Sequence, residues 1–360
     1  MTKSDMAGSA RCAARGRVPA LAAGANAGQW SVLGAAVLWG TTGTAATFAP
    51  RGSSSLAVGA AAMGIGGVAL FIAAGGSALR LITSGVARPA LWLGAACVVA
   101  YPLAFYTSMA DAGVAIGVTL SIGGAPIVAA LLERVRHGRR LSRQWAATVA
   151  LALIGATLLG TQGADLGHAG AGSAITGAIL AVGAACCYAG YSVAAAEIVD
   201  QGASSRATVG ALFGLASLVL IPILAVTGSA LLASTRGILV AGYLGLIPMS
   251  IGYLLFGHGL RTTPASAATG LSLLEPAIAA VLADLIAHQQ LPAIGWLGIA
   301  LVVASVLLQA RSPNPDTSAP RSPRPDVRVT SVRQQPADLT PASQTALAGE
   351  RSDLSRAGSG

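Results

Sequence analysis

Ten long apolar runs constrain this chain more than any other feature. They lie at residues 30–50, 56–74, 90–109, 112–132, 145–161, 175–196, 208–227, 237–257, 265–287 and 294–309. Each is about 16–23 residues long, and a helix crosses a hydrocarbon core of about 30 Å in roughly 20. Within lipid a single segment satisfies its own backbone only as a helix. The chain is 54% hydrophobic and 10% charged, whereas about 25% of a soluble domain is charged. Its 360 residues would otherwise suggest about two soluble domains. The expected fold is an all-α membrane protein of ten transmembrane helices. Pro102, Pro126, Pro222, Pro248 and Pro276 fall inside the runs, where transmembrane helices tolerate proline. Pro126 and Pro276 are the expected helix kinks.

The net charge of +9 could point to nucleic acid, but its placement points to a bilayer. With the N-terminus inside, the cytoplasmic segments hold Lys3, Arg11, Arg15, Arg17, Arg80, Arg88, Arg206, Arg261, the cluster "ERVRHGRRLSR" at 133–143 and every arginine from Arg311 onward. The outer loops keep only Arg51 and Arg236. Cytoplasmic loops of membrane proteins carry such an excess, so both termini are expected in the cytoplasm and no nucleic-acid partner is expected. Residues 1–28 read as a basic, disordered tail, because the apolar part at 18–23 is shorter than the roughly 7–15 residues of a signal peptide. Residues 311–360, rich in Pro, Ser, Arg and Asp without an apolar period, read as a disordered cytoplasmic tail. Cys12, Cys97, Cys186 and Cys187 have no metal-ligand spacing, and no cofactor or metal is expected.

The chain repeats itself. Residues 106–132, "YTSMADAGVAIGVTLSIGGAPIVAALL", lie over residues from Phe256 onward after a shift of 150, which lays Pro126 on Pro276 and Ala115 on Ala265. The two units are residues 29–162 and 173–310. Five helices per unit is odd, so the second enters the membrane from the opposite side. Two inverted five-helix repeats are an architecture of secondary transporters.

The stretch "GLSLLEPAIAAVLADLIAHQQ" at 270–290 carries the most informative side chain. From Ala265, Glu275 lies about 15 Å into a continuous helix, near the midplane, and Asp284 about 28 Å in. An ionisable group at that depth usually faces a cavity or a partner. Glu275 is expected to line the permeation path and to hold a proton or a cationic group. The structural alternative is that it serves backbone groups freed around Pro276. Trp39 and Thr42, with Thr41 and Thr44, stand near the midplane of the first helix. Tyr101 stands in the third with Phe105 one turn on, and Tyr188 and Tyr191 share a face of the sixth. Together these make a candidate aromatic wall with a few hydroxyls. His258, toward the cytoplasmic end of the eighth helix, is a candidate proton relay, with an interfacial histidine as the alternative. Tyr253 and Ser250 are weaker candidates.

Three segments, "LGAAVLWGTTGTAATF" (33–48), "TPASAATGLSLLEPAIAAVLA" (263–283) and "GWLGIALVVASVLL" (295–308), resemble the EamA-like branch of the drug/metabolite transporter superfamily. The resemblance covers both repeats, and its most specific piece is Glu275-Pro276. It implies a ten-helix permease of the bacterial inner membrane, usually an exporter of amino acids, metabolites or other small organic solutes. Relatives often end the fourth and ninth helices with Gly-Glu; here Glu133 lacks the glycine, and the ninth ends "AHQQL".

The expected partners are a small-molecule solute, with protons as a candidate coupling ion, and the lipid bilayer. An uncoupled facilitator or exchanger is the alternative within the class. An intramembrane enzyme would need paired polar groups, and the chain has no H-E-x-x-H, no G-x-S-x-G and no paired intramembrane aspartates. A scaffold acting through the tail is the remaining alternative.

Overall fold

The computed structural model describes residues 18–85, 87–138, 142–160, 171–287 and 291–311. All lie in the first of two compact units, Met1–Asn314. The expected tail from residue 312 onward, residues 1–17 and His288-Gln289-Gln290 lie outside the described residues.

All ten apolar runs are helical. In chain order the helices are α1 Val18–Thr47, α2 Ser55–Ala74, α3 Gly76–Ser84, α4 Arg88–Ala112, α5 Val114–His137, α6 Arg143–Gly160, α7 Ala171–Asp200 and α8 Ser205–Thr227. Then follow α9 Ser229–Leu232, α10 Thr235–Leu244, a π-helical turn Gly245–Ile251, α11 Gly252–Gly259, α12 Ala265–Leu271, α13 Leu274–Ala287 and α14 Ala293–Arg311. Nine helical stretches, from Ser55–Ala74 to Ala293–Ala310, are long and apolar enough to cross a membrane among the described residues.

Three elements differ from the reading above. Helix α1 begins at Val18, inside the segment read as disordered tail, because the Ala-rich stretch before Trp30 favours helix. Arg80 sits not in an open loop but in the short helix α3, whose Ala78 and Leu81 are buried. The ninth run is not continuous: α12 ends at Leu271 and α13 starts at Leu274. Tight turns bridge the break, with Leu273 N–H donating to Gly270 O and Glu275 N–H to Ser272 O. Pro276 therefore stands in the first turn of α13, where its missing N–H costs no helical bond. Pro126 lies inside α5.

The helices pack in pairs that bring distant sequence together. Helix α4 lies on α7, α2 on α8, α5 on α7, α6 on α14, and α1 on both α11 and α13. Small residues permit this. Ser217 Oγ of α8 donates to Gly64 O at 2.9 Å, and Ser250 Oγ of the π turn donates to Gly66 O at 3.2 Å. A Cβ at Gly67 would overlap the Phe213 carbonyl oxygen of α8. At the α6–α14 crossing, a Cβ on Gly155 or on Gly298 would come within 2.6 or 2.8 Å of the other's carbonyl oxygen. Backbone cannot yield as a flexible side chain can, so Gly67→Val should cost about 1–3 kcal/mol. The expected result is a lower melting temperature in detergent, read by intrinsic fluorescence; an unchanged melt would mean that α2 and α8 do not pack this closely.

Candidate functional site

The packing of α1, α2, α4, α7 and α11 around the break between α12 and α13 gathers aromatic side chains at one place. A recess of about 50 Å³ is lined by Trp39 and Thr42 of α1, Gly59, Ala62 and Met63 of α2, and Tyr101, Pro102, Phe105 and Tyr106 of α4. Tyr188 and Tyr191 of α7, Met249 of the π turn, Tyr253 of α11 and Glu275 of α13 complete it. The rings support one another. Tyr188 and Tyr191 stack with centroids 5.3 Å apart, Tyr101 and Phe105 stack at 5.5 Å, and Trp39 tilts against Tyr253 at 4.9 Å. Such pairs add stabilisation beyond area burial, so the wall is preformed.

Two hydrogen bonds brace this wall. The Tyr191 and Tyr253 hydroxyls lie 2.8 Å apart, joining α7 to α11. The Tyr188 hydroxyl lies 2.8 Å from Ser272 Oγ, which itself donates to Thr269 O. Tyr188 therefore holds the break that places Glu275 at the start of α13. Thr42 Oγ1 donates to Trp39 O at 2.6 Å, a bond within its own helix.

A larger vestibule of about 630 Å³ shares Trp39, Thr42, Phe105, Tyr106 and Glu275 with the recess. It runs past Ala46, Met109 and Ala280 to the α1–α2 loop at Pro50 and Arg51 and to Gly160 at the end of α6. Glu275 thus stands where the vestibule meets the recess. It lies in the first turn of α13, where the free N–H groups of a helix start favour negative charge.

The far side is held differently. Glu133, near the end of α5, is 5% exposed. Its carboxylate accepts from Ser266 Oγ at 2.5 Å and from Ser266 N–H at 3.4 Å, at the start of α12. Close by in sequence, Arg136 pairs with Glu197 at the end of α7 at 2.5 Å.

Of the residues expected at the site, Glu275, Trp39, Thr42, Tyr101, Tyr188 and Tyr191 all line the recess. His258 does not; it is exposed on α11 and lines neither cavity. Tyr106, Met63 and Met249 were not expected there. Tyr106 could have been found, since it follows Phe105 directly and lies over the aromatic Phe256 in the repeat. Asp284, expected at an interface, accepts from Leu291 N–H at 2.9 Å and ties the end of α13 to the turn that precedes α14.

The model of the EamA-like transporter family matches residues 26–161 and again residues 175–311. The chain belongs to the EamA-like transporter family. As an EamA-like protein with helices on both matched units, it is a multi-pass membrane transporter. A relative, the uncharacterized transporter YwfM of Bacillus subtilis (strain 168), is 34% identical over 288 residues, 80% of this chain and 95% of that protein. A protein known from a crystal structure aligns with a TM-score of 0.61 and 20% identity over 79% of this chain and 95% of that chain, a likeness of fold alone. In this EamA-like chain the recess draws on both matched units: α1, α2 and α4 from the first, and α7, the π turn, α11 and α13 from the second.

Proposed function

We propose that this transporter exports a small organic solute, such as an amino acid, another metabolite or a drug, across the bacterial inner membrane by alternating access. Ten helices cross the membrane in this reading, as two inverted five-helix units with both termini in the cytoplasm. The observation that carries it is a vestibule open past Arg51 that ends on Glu275, while among the described residues Glu133–Ser266 and Arg136–Glu197 tie α5 to α12 and α7. A path closed at one end around a central polar group is what one state of an alternating-access carrier requires. The positive-inside bias puts Arg51 outside, so this state faces outward.

The helix pairings support the inverted units. The contact of α4 with α7 matches that of α1 with α11, and the contact of α5 with α7 matches that of α1 with α13. The α2–α8 and α6–α14 contacts are each their own counterpart. A two-fold relation between five-helix units produces this pattern.

The experiment is untargeted metabolite profiling of the medium from cells with and without the gene, followed by efflux of the enriched solute from proteoliposomes. The expected result is one chemical group enriched outside expressing cells. Identical media, together with uptake into cells, would reject export.

A further inference from the structure

We propose that the solute binds as a protonated primary or secondary amine, with its ammonium group against Glu275 and its body in the vestibule. This rests on the transporter reading above and names the chemistry its site selects.

The first reason is the state of the polar groups around the recess. Among the described residues, nothing is hydrogen-bonded or ion-paired to the Glu275 carboxylate, nor hydrogen-bonded to the hydroxyls of Tyr101 and Tyr106. The other three tyrosine hydroxyls of the recess are engaged, Tyr191 with Tyr253 and Tyr188 with Ser272. A carboxylate and two phenol oxygens are left facing one small space. All three side chains line the recess and are open to a donor carried by a bound solute. A primary ammonium group brings three N–H donors and a secondary one two, and the bond of either to the carboxylate is charge-assisted.

The second reason is what is missing from the wall. No lysine, arginine or histidine lines the recess among the described residues. In the vestibule the basic side chain is Arg51, in the α1–α2 loop. An anionic solute would meet Glu275 without a compensating cation. A neutral solute would return no charge to the carboxylate, which would take up a proton rather than stay ionised. The faces of Trp39, Tyr101, Phe105 and Tyr106 carry the negative ring quadrupole that attracts a cation.

The third reason is size. A water needs about 10–15 Å³ of cavity, so a recess of about 50 Å³ admits an ammonium head with a substituent but no ring. The vestibule of about 630 Å³ lies within the roughly 300–1,000 Å³ of small-molecule sites and takes the remainder. A quaternary ammonium group fits less well, because it has no N–H to offer the tyrosine oxygens.

The test uses the full-length protein in detergent and in proteoliposomes. Binding of phenethylamine, n-butylamine and cyclohexylamine is measured against the matched alcohols, 3-phenylpropionate and phenethyltrimethylammonium. At least one amine should bind on the order of 100-fold more tightly than its alcohol, the effect of an ion pair inside a dry site. Glu275→Gln should reduce that amine to the level of the alcohol, and Tyr101→Phe with Tyr106→Phe should weaken it several-fold. Glu275→Asp, which keeps the charge, should restore part of the binding and guards against a folding defect. Amines that bind no better than alcohols, or as well to Glu275→Gln as to wild type, would overturn the proposal. A quaternary probe that outcompetes the amines would also overturn it. Efflux separates this proposal from the reading beneath it. If vesicles export an alcohol or a carboxylate but no amine, the amine proposal falls and the transporter stands. If no solute of a loaded cell extract leaves faster than from protein-free vesicles, the transport reading falls too.

Discussion

Glu275→Gln should reduce solute efflux from proteoliposomes on the order of 100-fold while leaving expression and melting temperature near wild type. The two halves of that expectation have different causes. The carboxylate has no hydrogen-bond or ion-pair partner among the described residues, so glutamine breaks nothing that holds the fold. It does remove the acidic side chain where the vestibule meets the recess, and truncating one member of a buried charge pair with a bound cation costs binding heavily. The same variant tests proton coupling. If Glu275 releases its solute on taking up a proton, acid outside should speed wild-type efflux, and the glutamine variant should not respond to the gradient. Gradient dependence that survives undiminished in Glu275→Gln would eliminate coupling through this residue.

Ser266→Ala should shift the protein away from the state open past Arg51, by about tenfold in the ratio of states. Ser266 donates its hydroxyl to the buried Glu133 carboxylate at 2.5 Å, and its N–H reaches the same group at 3.4 Å. Hydrogen bonds to charged groups contribute about 1.5–3 kcal/mol, and about 1.4 kcal/mol is a factor of ten. The asymmetry comes from the repeat. Under the shift of 150 that lays Pro126 on Pro276, Glu133 falls on Ala283 and Ser266 on Ile116. When the two units exchange roles, the vestibule side closes without an equivalent bond, so Glu133 and Ser266 favour the observed state. Ala46 lines the vestibule wall. Alkylation of a cysteine placed there, with the four native cysteines replaced by alanine, should slow in Ser266→Ala. Equal labelling rates in both backgrounds would mean that this contact does not set the balance between states.

Much of the site was legible because membrane depth is encoded locally. A run of apolar residues marks a span, and counting 1.5 Å per residue places Glu275, Trp39, Tyr101, Tyr188 and Tyr191 at similar depth in four different helices. All five line the recess. His258, toward the cytoplasmic end of the eighth helix, was a candidate for its chemistry, yet that side chain is exposed on α11, because neither residue type nor depth tells which face of a helix meets its neighbours. Tyr253, a weaker candidate in the same helix region, is buried and bonded to Tyr191. The five residues that separate Tyr253 from His258, at about 100° each, put the two on opposite faces.

The break between α12 and α13 was hidden for a related reason. The ninth run is apolar throughout, with Pro276 suggesting a kink in a continuous helix. Whether the chain bends at the proline or turns just before it depends on Ser272, and Ser272 is held by Tyr188 of α7, a residue 84 positions earlier in the chain. The Glu133 contact is likewise a meeting of α5 with α12, residues far apart in the chain.

By itself, the sequence determined that this chain is an all-helical membrane protein, that it is built twice over, and that an acid stands deep within its second unit. Those follow from hydropathy, periodicity and self-similarity, which are properties of single segments. Only the tertiary structure decided that the acid shares a recess with aromatic side chains and two unbonded tyrosine hydroxyls, that it meets an open vestibule, and that Glu133 ties α5 to α12. Those depend on how helix faces are turned toward one another, and that is set by close contacts such as Gly67 on Phe213 and Gly155 on Gly298.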